Sequence, residues 1–246
     1  MNLFIPWTVP LILLVTWQVL STAGILSQRI LPAPSEVISA AAELASTGEL
    51  AEHLKVSLVR AITGFVIGGS IGFLLGLVNG ISKYCELFFD TSVQMLRNIP
   101  HLALIPLVIL WFGIDEMSKI SLVALGVLFP VYINTYHGIK SVDKGLIEVG
   151  KAYGLNKSAL FWTIIFPGAL SSILVGVRFS LGVMWMTLIV AETISAHSGI
   201  GYMAMTAREF LQMDVIVLSI LIYAFFGKLS DIIAKLLERK WLQWNA

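Results

Sequence analysis

The chain has 246 residues, of which 57% are apolar and only 13% charged, with a formal net charge of +1. Soluble domains run at roughly 45–50% apolar and 25% charged, so this composition excludes a soluble globule, and the near-zero net charge gives no electrostatic reason to expect nucleic acid. The single cysteine, Cys85, excludes an intrachain disulfide and a thiolate-rich metal site.

The apolar residues come in blocks, and a helix needs about 20 of them to cross a bilayer. The first block runs from about Phe4 to Ile25, uncharged, with Pro6 and Pro10 in its opening turns. No basic stretch precedes Phe4 and no clear cleavage site follows, so this block is expected to be retained as a helix. A more polar stretch extends from Gln28 to Lys55. Within it Leu31-Pro32-Ala33-Pro34-Ser35 breaks the chain, and Ser35 is placed to cap a short helix from Glu36 to Ala45. The second block, Ala61 to Ile81, is uncharged between Arg60 and Lys83. The third is less regular: it starts near Leu87, tolerates Asp90 and Arg97, passes Pro100 and Pro106 and ends at Gly113. The fourth is Ile120 to Ile139. The fifth, Gly168 to Ala191, carries one charge, Arg178, and the sixth starts after Asp214 and runs to the basic end at Arg239 and Lys240.

Backbone groups in lipid must find partners within the protein, and period-two alternation is absent, so these blocks predict helices and exclude an outer-membrane barrel. The expected fold is all-α, a polytopic transmembrane bundle of about six helices. Basic residues favour the cytoplasmic side. With both termini inside, cytoplasmic loops hold Lys83, Lys140, Lys144, Lys151 and Lys157, while Arg29, Lys55, Lys119 and Arg208 fall outside. The bias is clearest for the loop between the fourth and fifth blocks.

In the second block Gly64, Gly68, Gly72, Gly76 and Gly80 recur every fourth residue. That spacing keeps them on one helix face, where small residues let another backbone approach closely. The ladder predicts a helix contact, either within the chain or with a second copy. Between the fourth and fifth blocks, Leu146 to Tyr153 reads as a short surface helix stopped by Gly154, with Leu155 tucked beneath it. A second short helix begins near Asn156 or Ser158, and Pro167 opens the next block where its missing N–H does no harm. Gly150, Ala152 and Gly154 leave a surface that another protein could grip.

This loop resembles a family signature. Membrane subunits of type I ABC importers carry Glu-Ala-Ala, three residues, Gly, nine residues, Ile-x-Leu-Pro, and Glu148, Gly154, Ile164 and Pro167 stand in that register. Val149 and Gly150 replace the alanines, and Phe166 the leucine. Arg97-Asn98-Ile99-Pro100-His101-Leu102-Ala103-Leu104-Ile105-Pro106, Ile189-Val190-Ala191-Glu192-Thr193-Ile194 and Ser198-Gly199-Ile200-Gly201 look like the nitrate, taurine and sulfonate branch. Trp111-Phe112-Gly113-Ile114-Asp115-Glu116 is similar to the aliphatic sulfonate permeases within it.

The resemblance implies a cytoplasmic-membrane permease carrying aliphatic sulfonates, with taurine, nitrate or another small solute as alternatives. It implies residues 1–53 as an N-terminal helix and external linker, and 54–240 as the transport domain. Loop 140–167 would dock on the ATP-hydrolysing subunit through Glu148, Gly150, Gly154, Leu155 and Pro167. Implied partners are two ATP-binding subunits, a second permease copy, a periplasmic or lipid-anchored solute-binding protein and membrane lipid. The chain itself has no Gly-x-x-x-x-Gly-Lys-Ser/Thr loop, so it is expected to be a transport subunit without its own ATP site, catalytic residue, cofactor or metal.

Arg178 and Glu192 are candidates for a polar translocation path, since ionisable groups inside membranes are costly and face partners or water. They stand fourteen residues apart, about 21 Å along one helix, too far to pair; a neighbouring helix could equally satisfy each. His101, His137 and His197 show no metal spacing. An ion-coupled secondary transporter would usually carry internal repeats, and none is clear. A hydrolase centred on His197-Ser198-Gly199 lacks a nucleophile-elbow pattern.

Overall fold

The computed structural model describes residues 5–27 and 30–242, with side chains from Thr8 onward. Phe4, Gln28 and Arg29, which bound the first block and contribute an external charge in the sequence reading, lie outside the described residues. The described residues form α1 (Ile5–Thr22), α2 (Pro34–Thr47), α3 (Glu49–Ile81), α4 (Lys83–Arg97), α5 (Ile105–Phe112) and α6 (Glu116–Lys140). Then follow α7 (Lys144–Ala152), α8 (Lys157–Leu160), α9 (Phe166–Ser195), α10 (Ile200–Glu209) and α11 (Met213–Trp241). No strand occurs among them. Four runs are long and apolar enough to cross a membrane: α3, α6, residues 157–195 and α11. Helix α4 and residues 101–112 pass the same test as a pair bent by 82°, and α1 adds a shorter apolar helix. Each of the six apolar blocks therefore falls on a helical segment.

The helices group into two compact units, Met1–Leu58 with Glu192–Phe225, and Val59–Ala191 with Phe226–Ala246. In the first, α2 begins earlier than expected. Pro34 occupies its first turn, where a fixed φ suits a helix start, and Ala33 is the N-cap. Glu36 accepts the Ala33 N–H at 2.8 Å. Ser35 is thus not the cap; its N–H donates to Gln18 Oε1 at 3.1 Å and ties α2 to α1. Gly48, at φ 85°, ends α2 in the left-handed region and lets α3 start at the next residue.

In the second unit the glycine ladder of α3 lies against α6. A Cβ on Gly64 would stand 2.6 Å from Val123 Cγ1, one on Gly76 2.7 Å from the Tyr132 carbonyl oxygen, and one on Gly80 2.8 Å from Ile139 Cβ. On Gly68 and Gly72 it would overlap the carbonyl oxygens of Ala124 and Leu128. The two backbones therefore approach as closely as hydrogen atoms allow, which supplies dispersion contact where lipid offers no hydrophobic drive.

The irregular third block resolves into two helices broken at Asn98-Ile99-Pro100. The residue before a proline is pushed out of the α region, and a short 3-10 turn at His101–Leu104 redirects the chain. His101 Nε2 lies 3.0 Å from Thr187 Oγ1 on α9, and Ile105 and Val108 pack with Leu122 and Ala191. Those contacts fix the bend.

Pro167 is placed differently from the sequence expectation. It does not open a helix; residues 157–195 are continuously helical, with a π turn at Phe161–Ile165 in which the Phe166 N–H reaches Phe161 O. A proline inside a regular helix clashes with the preceding turn, and the wider π turn just before it absorbs that misfit. Helix α10 had no counterpart in the sequence reading. Its ten residues are about half the length a membrane span needs, and they end on Arg208 and Glu209, so they do not register as a membrane block.

Candidate functional site

Helix α7 is defined at both ends by its own sequence. Asp143 caps it, accepting the Gly145 N–H at 2.7 Å. At the other end Gly154, at φ 80°, turns the chain left-handed. The Gly154 N–H bonds Lys151 O at 2.9 Å and the Leu155 N–H bonds Gly150 O at 3.1 Å, the paired bonds of a Schellman stop. Asn156 then caps α8 by accepting the Ala159 N–H at 2.8 Å.

The inner face of α7 is seated on the helix that follows. Gly150 is buried, and a Cβ there would stand 2.6 Å from Ile164 Cδ1 and 2.7 Å from Leu160 Cδ1. Ile147 and Ile164 join a core cluster with Ile139, Val142, Ala169 and Ile173. The outer face carries Leu146, 56% exposed, Val149, 53%, and Tyr153, 85%, with Glu148 exposed beside them. Positions three, four and seven apart share one helix face, so α7 carries two adjoining apolar strips, with Lys144, Glu148 and Lys151 on its remaining side. One strip is buried in its own chain, and the other is a presented apolar surface with a carboxylate at its edge. The structure thus brings Glu148, Gly150, Gly154 and Leu155 together in one motif, and Pro167 lies on the continuous helix that backs it.

The two candidate path charges sit in different surroundings. Glu192 is 1% exposed. The Ser57 hydroxyl lies 2.8 Å from both its oxygens, and Oε2 accepts the Gly201 N–H at 2.9 Å and the Tyr223 hydroxyl at 3.0 Å. Ser57 in turn accepts the Ile200 N–H at 2.8 Å. These bonds fasten the start of α10, and a buried carboxylate so supplied needs no further partner. Arg178 is 39% exposed; its Nε donates to Asp231 Oδ1 at 2.7 Å, and Nη1 lies 3.8 Å from Glu238 Oε2. It borders an open cavity walled by Val175, Phe179, Gly182 and Met186.

Two polar networks escaped the sequence reading. Arg60, 1% exposed, grips Glu116 in bidentate fashion at 2.6 and 2.5 Å, and buried Lys119 donates to Ile114 O at 3.0 Å. Farther along, Glu86 of α4 accepts from the Tyr136 hydroxyl at 2.5 Å and from Lys140 Nζ at 2.6 Å. Asp90, one turn on, accepts from Tyr132 at 3.1 Å, and Tyr132 accepts from Asn79 at 2.9 Å. The signal was present as matched spacing: carboxylates four apart on α4 and tyrosines four apart on α6.

Residues 51–243 match the family described as binding-protein-dependent transport system inner membrane component. The chain is 61% identical over 240 residues to the putative aliphatic sulfonates transport permease SsuC of Escherichia coli K12, covering 98% of this chain and 91% of that one. It is 46% identical to the Bacillus subtilis 168 permease of the same description, covering 96% and 86%. To the E. coli K12 taurine transport permease TauC it is 34% identical, covering 95% and 87%. In fold it is similar to an amino acid ABC transporter crystallised with histidines, at TM-score 0.67 and 19% identity, covering 81% and 97%.

Proposed function

The chain belongs to the binding-protein-dependent transport system inner membrane components, and from that premise we propose that it is the membrane permease of an ATP-driven importer of aliphatic sulfonates. The observation that carries the substrate is the gradient of likeness, 61% to an aliphatic sulfonate permease against 34% to a taurine permease, both from one organism and both nearly full-length. A sulfonate is a permanent anion and needs an energised route through hydrocarbon. The chain has no phosphate-binding loop of its own, so the energy comes from two copies of an ATP-binding subunit. Helix α7 is the surface on which each docks. Its inner face is locked to the permease, so a push on the outer face moves the membrane helices behind it. A second permease copy completes the passage, and a solute-binding protein delivers the ligand from outside. Arg178, beside an open cavity, is a polar step on the inward route. Glu192 acts from within the fold by holding α10.

The substrate test is genetic. Deleting the gene abolishes growth on an alkanesulfonate as sole sulfur source, while growth on sulfate continues. Uptake of labelled alkanesulfonate, taurine and nitrate separates the three solutes. Parental alkanesulfonate uptake in the deletion strain, with no second system present, removes the sulfonate assignment and leaves the importer class.

The orientation is tested separately. Basic residues from Lys140 to Lys157 favour α7 and both chain ends in the cytoplasm, with Gly48 outside. With Cys85→Ser as background, a cysteine introduced at Gly48 reacts with an impermeant thiol reagent in cells with a permeabilised outer membrane. One introduced at Asn156 reacts only after the inner membrane is opened. Equal labelling from outside refutes this topology.

A further inference from the structure

In the second unit, several basic residues within the membrane spans are matched to acids. Arg60 and Lys119 face Glu116, Lys140 faces Glu86, and Arg178 faces Asp231. Arg97 is not among them. It is exposed, and among the described residues its side chain has no hydrogen bond or ion pair. It lies fourteen residues past Lys83 and fifteen before Phe112, the two ends of the broken pair, and therefore near the middle of that segment. The neighbouring exposed residues are apolar: Met95, Leu96 and Ile99.

The surroundings of Arg97 keep it free. It continues the polar stripe of Glu86, Asp90 and Gln94 on α4, but the acids of that stripe are engaged. Asp90, two turns back, accepts from Tyr132 at 3.1 Å and Gln94 at 3.4 Å, and Glu86 is bonded to Tyr136 and Lys140. The last turn of a helix favours a cation, which accounts for an arginine at this place without consuming its five donors. The backbone beyond it is fixed by the His101–Thr187 contact and the packing of Ile105 and Val108. A cation held at a break in a membrane helix, without a counter-ion, does not face hydrocarbon. It faces water or a passing anion, and broken helices line such routes.

We propose that Arg97 is the residue that contacts the sulfonate group during translocation, on an aqueous path along the break between α4 and α5. The guanidinium presents a planar fork that matches a tetrahedral oxyanion face with two parallel bonds. Asn98, exposed next to it, adds an amide donor. The assignment of sulfonate as the anion rests on the function proposed above.

The full complex, with its ATP-binding subunit and binding protein, is reconstituted in vesicles and supplied with labelled ethanesulfonate. Arg97→Gln lowers the initial uptake rate by about tenfold or more, the loss expected for charge-assisted hydrogen bonds to an ion. Arg97→Lys keeps part of the rate, and both variants co-purify with the ATP-binding subunit in normal yield. Unchanged uptake by Arg97→Gln, beside a wild type that imports ethanesulfonate, overturns the assignment. A second measurement does not depend on the substrate. In a Cys85→Ala background, Arg97→Cys reacts with the anionic reagent sulfonatoethyl methanethiosulfonate in at least one nucleotide state, because a thiol on a water-filled path can ionise. No reaction in any state places the residue in lipid and overturns the proposal. A wild type that imports no ethanesulfonate removes the sulfonate reading alone, and the thiol reaction then decides whether Arg97 lines an aqueous path.

Discussion

Gly68→Ala destroys the folded permease, while Gly69→Ala, one residue along the same helix, leaves it intact. A methyl group on Gly68 overlaps the carbonyl of Ala124, and that obstacle is backbone, which no rotamer change can clear. Helices α3 and α6 must move apart, and neighbouring contacts at Gly64 and Gly72 are lost with them. Overpacking of a core costs typically 1–3 kcal/mol, and a displaced helix pair loses more, because dispersion contact is what holds membrane helices together. Gly69 differs in one respect. A Cβ there meets Val127 Cγ1 at 3.8 Å, an ordinary contact. Alanine at that place gains roughly 1 kcal/mol of helix propensity over glycine. Thermal unfolding in detergent and the yield of monodisperse protein should therefore part the two variants sharply. If both melt alike, the ladder does not carry the α3–α6 contact.

The bundle was legible because membranes leave so few choices. Apolar blocks around Gly72, Val127 and Leu188 had to become helices, and all six blocks fall on helical segments, although only four, or five with the bent pair, are long and apolar enough to span. What escaped were features decided by pairs of distant residues. Ser35 reads as a cap in isolation, but Pro34 moved the helix start upstream and Gln18 claimed the serine. Pro167 reads as a helix opener, and only the π turn before it lets the helix run through. Helix α10 is too short and too polar to announce itself, and it is held by Glu192 and Ser57, residues from two other parts of the chain.

The candidate site divides in the same way. The stop at Gly154 was visible because a glycine after a short amphipathic run has a local meaning. The state of a charge is not local. Arg60, Arg97 and Arg178 look alike in sequence as arginines within or beside apolar blocks. Tertiary structure gives the first a bidentate carboxylate and the third an ion pair, and leaves the second open.

Gly154→Val uncouples transport from ATP hydrolysis without harming the membrane bundle. No atom lies within 4 Å of where its Cβ would stand, so the substitution creates no clash. The penalty is in the backbone. At φ 80° a β-branched residue is a conformational outlier, and holding it there costs of order 1–3 kcal/mol. Relaxing that strain breaks the Gly154–Lys151 and Leu155–Gly150 bonds and frays the end of α7 that presents Tyr153. The apolar outer face of Leu146, Val149 and Tyr153 then loses its fixed spacing, while α3, α6 and α9 keep all their contacts. Thermal stability of the isolated permease should change little. Co-purification of the ATP-binding subunit, or sulfonate-stimulated ATP hydrolysis in the reconstituted complex, should fall about tenfold, in line with the strain on a docking surface. Gly154→Asn is the control, since asparagine tolerates the left-handed conformation at small cost, and it should retain most of both activities. If valine and asparagine variants bind and stimulate the ATP-binding subunit equally well, the geometry of this helix end does not carry the coupling.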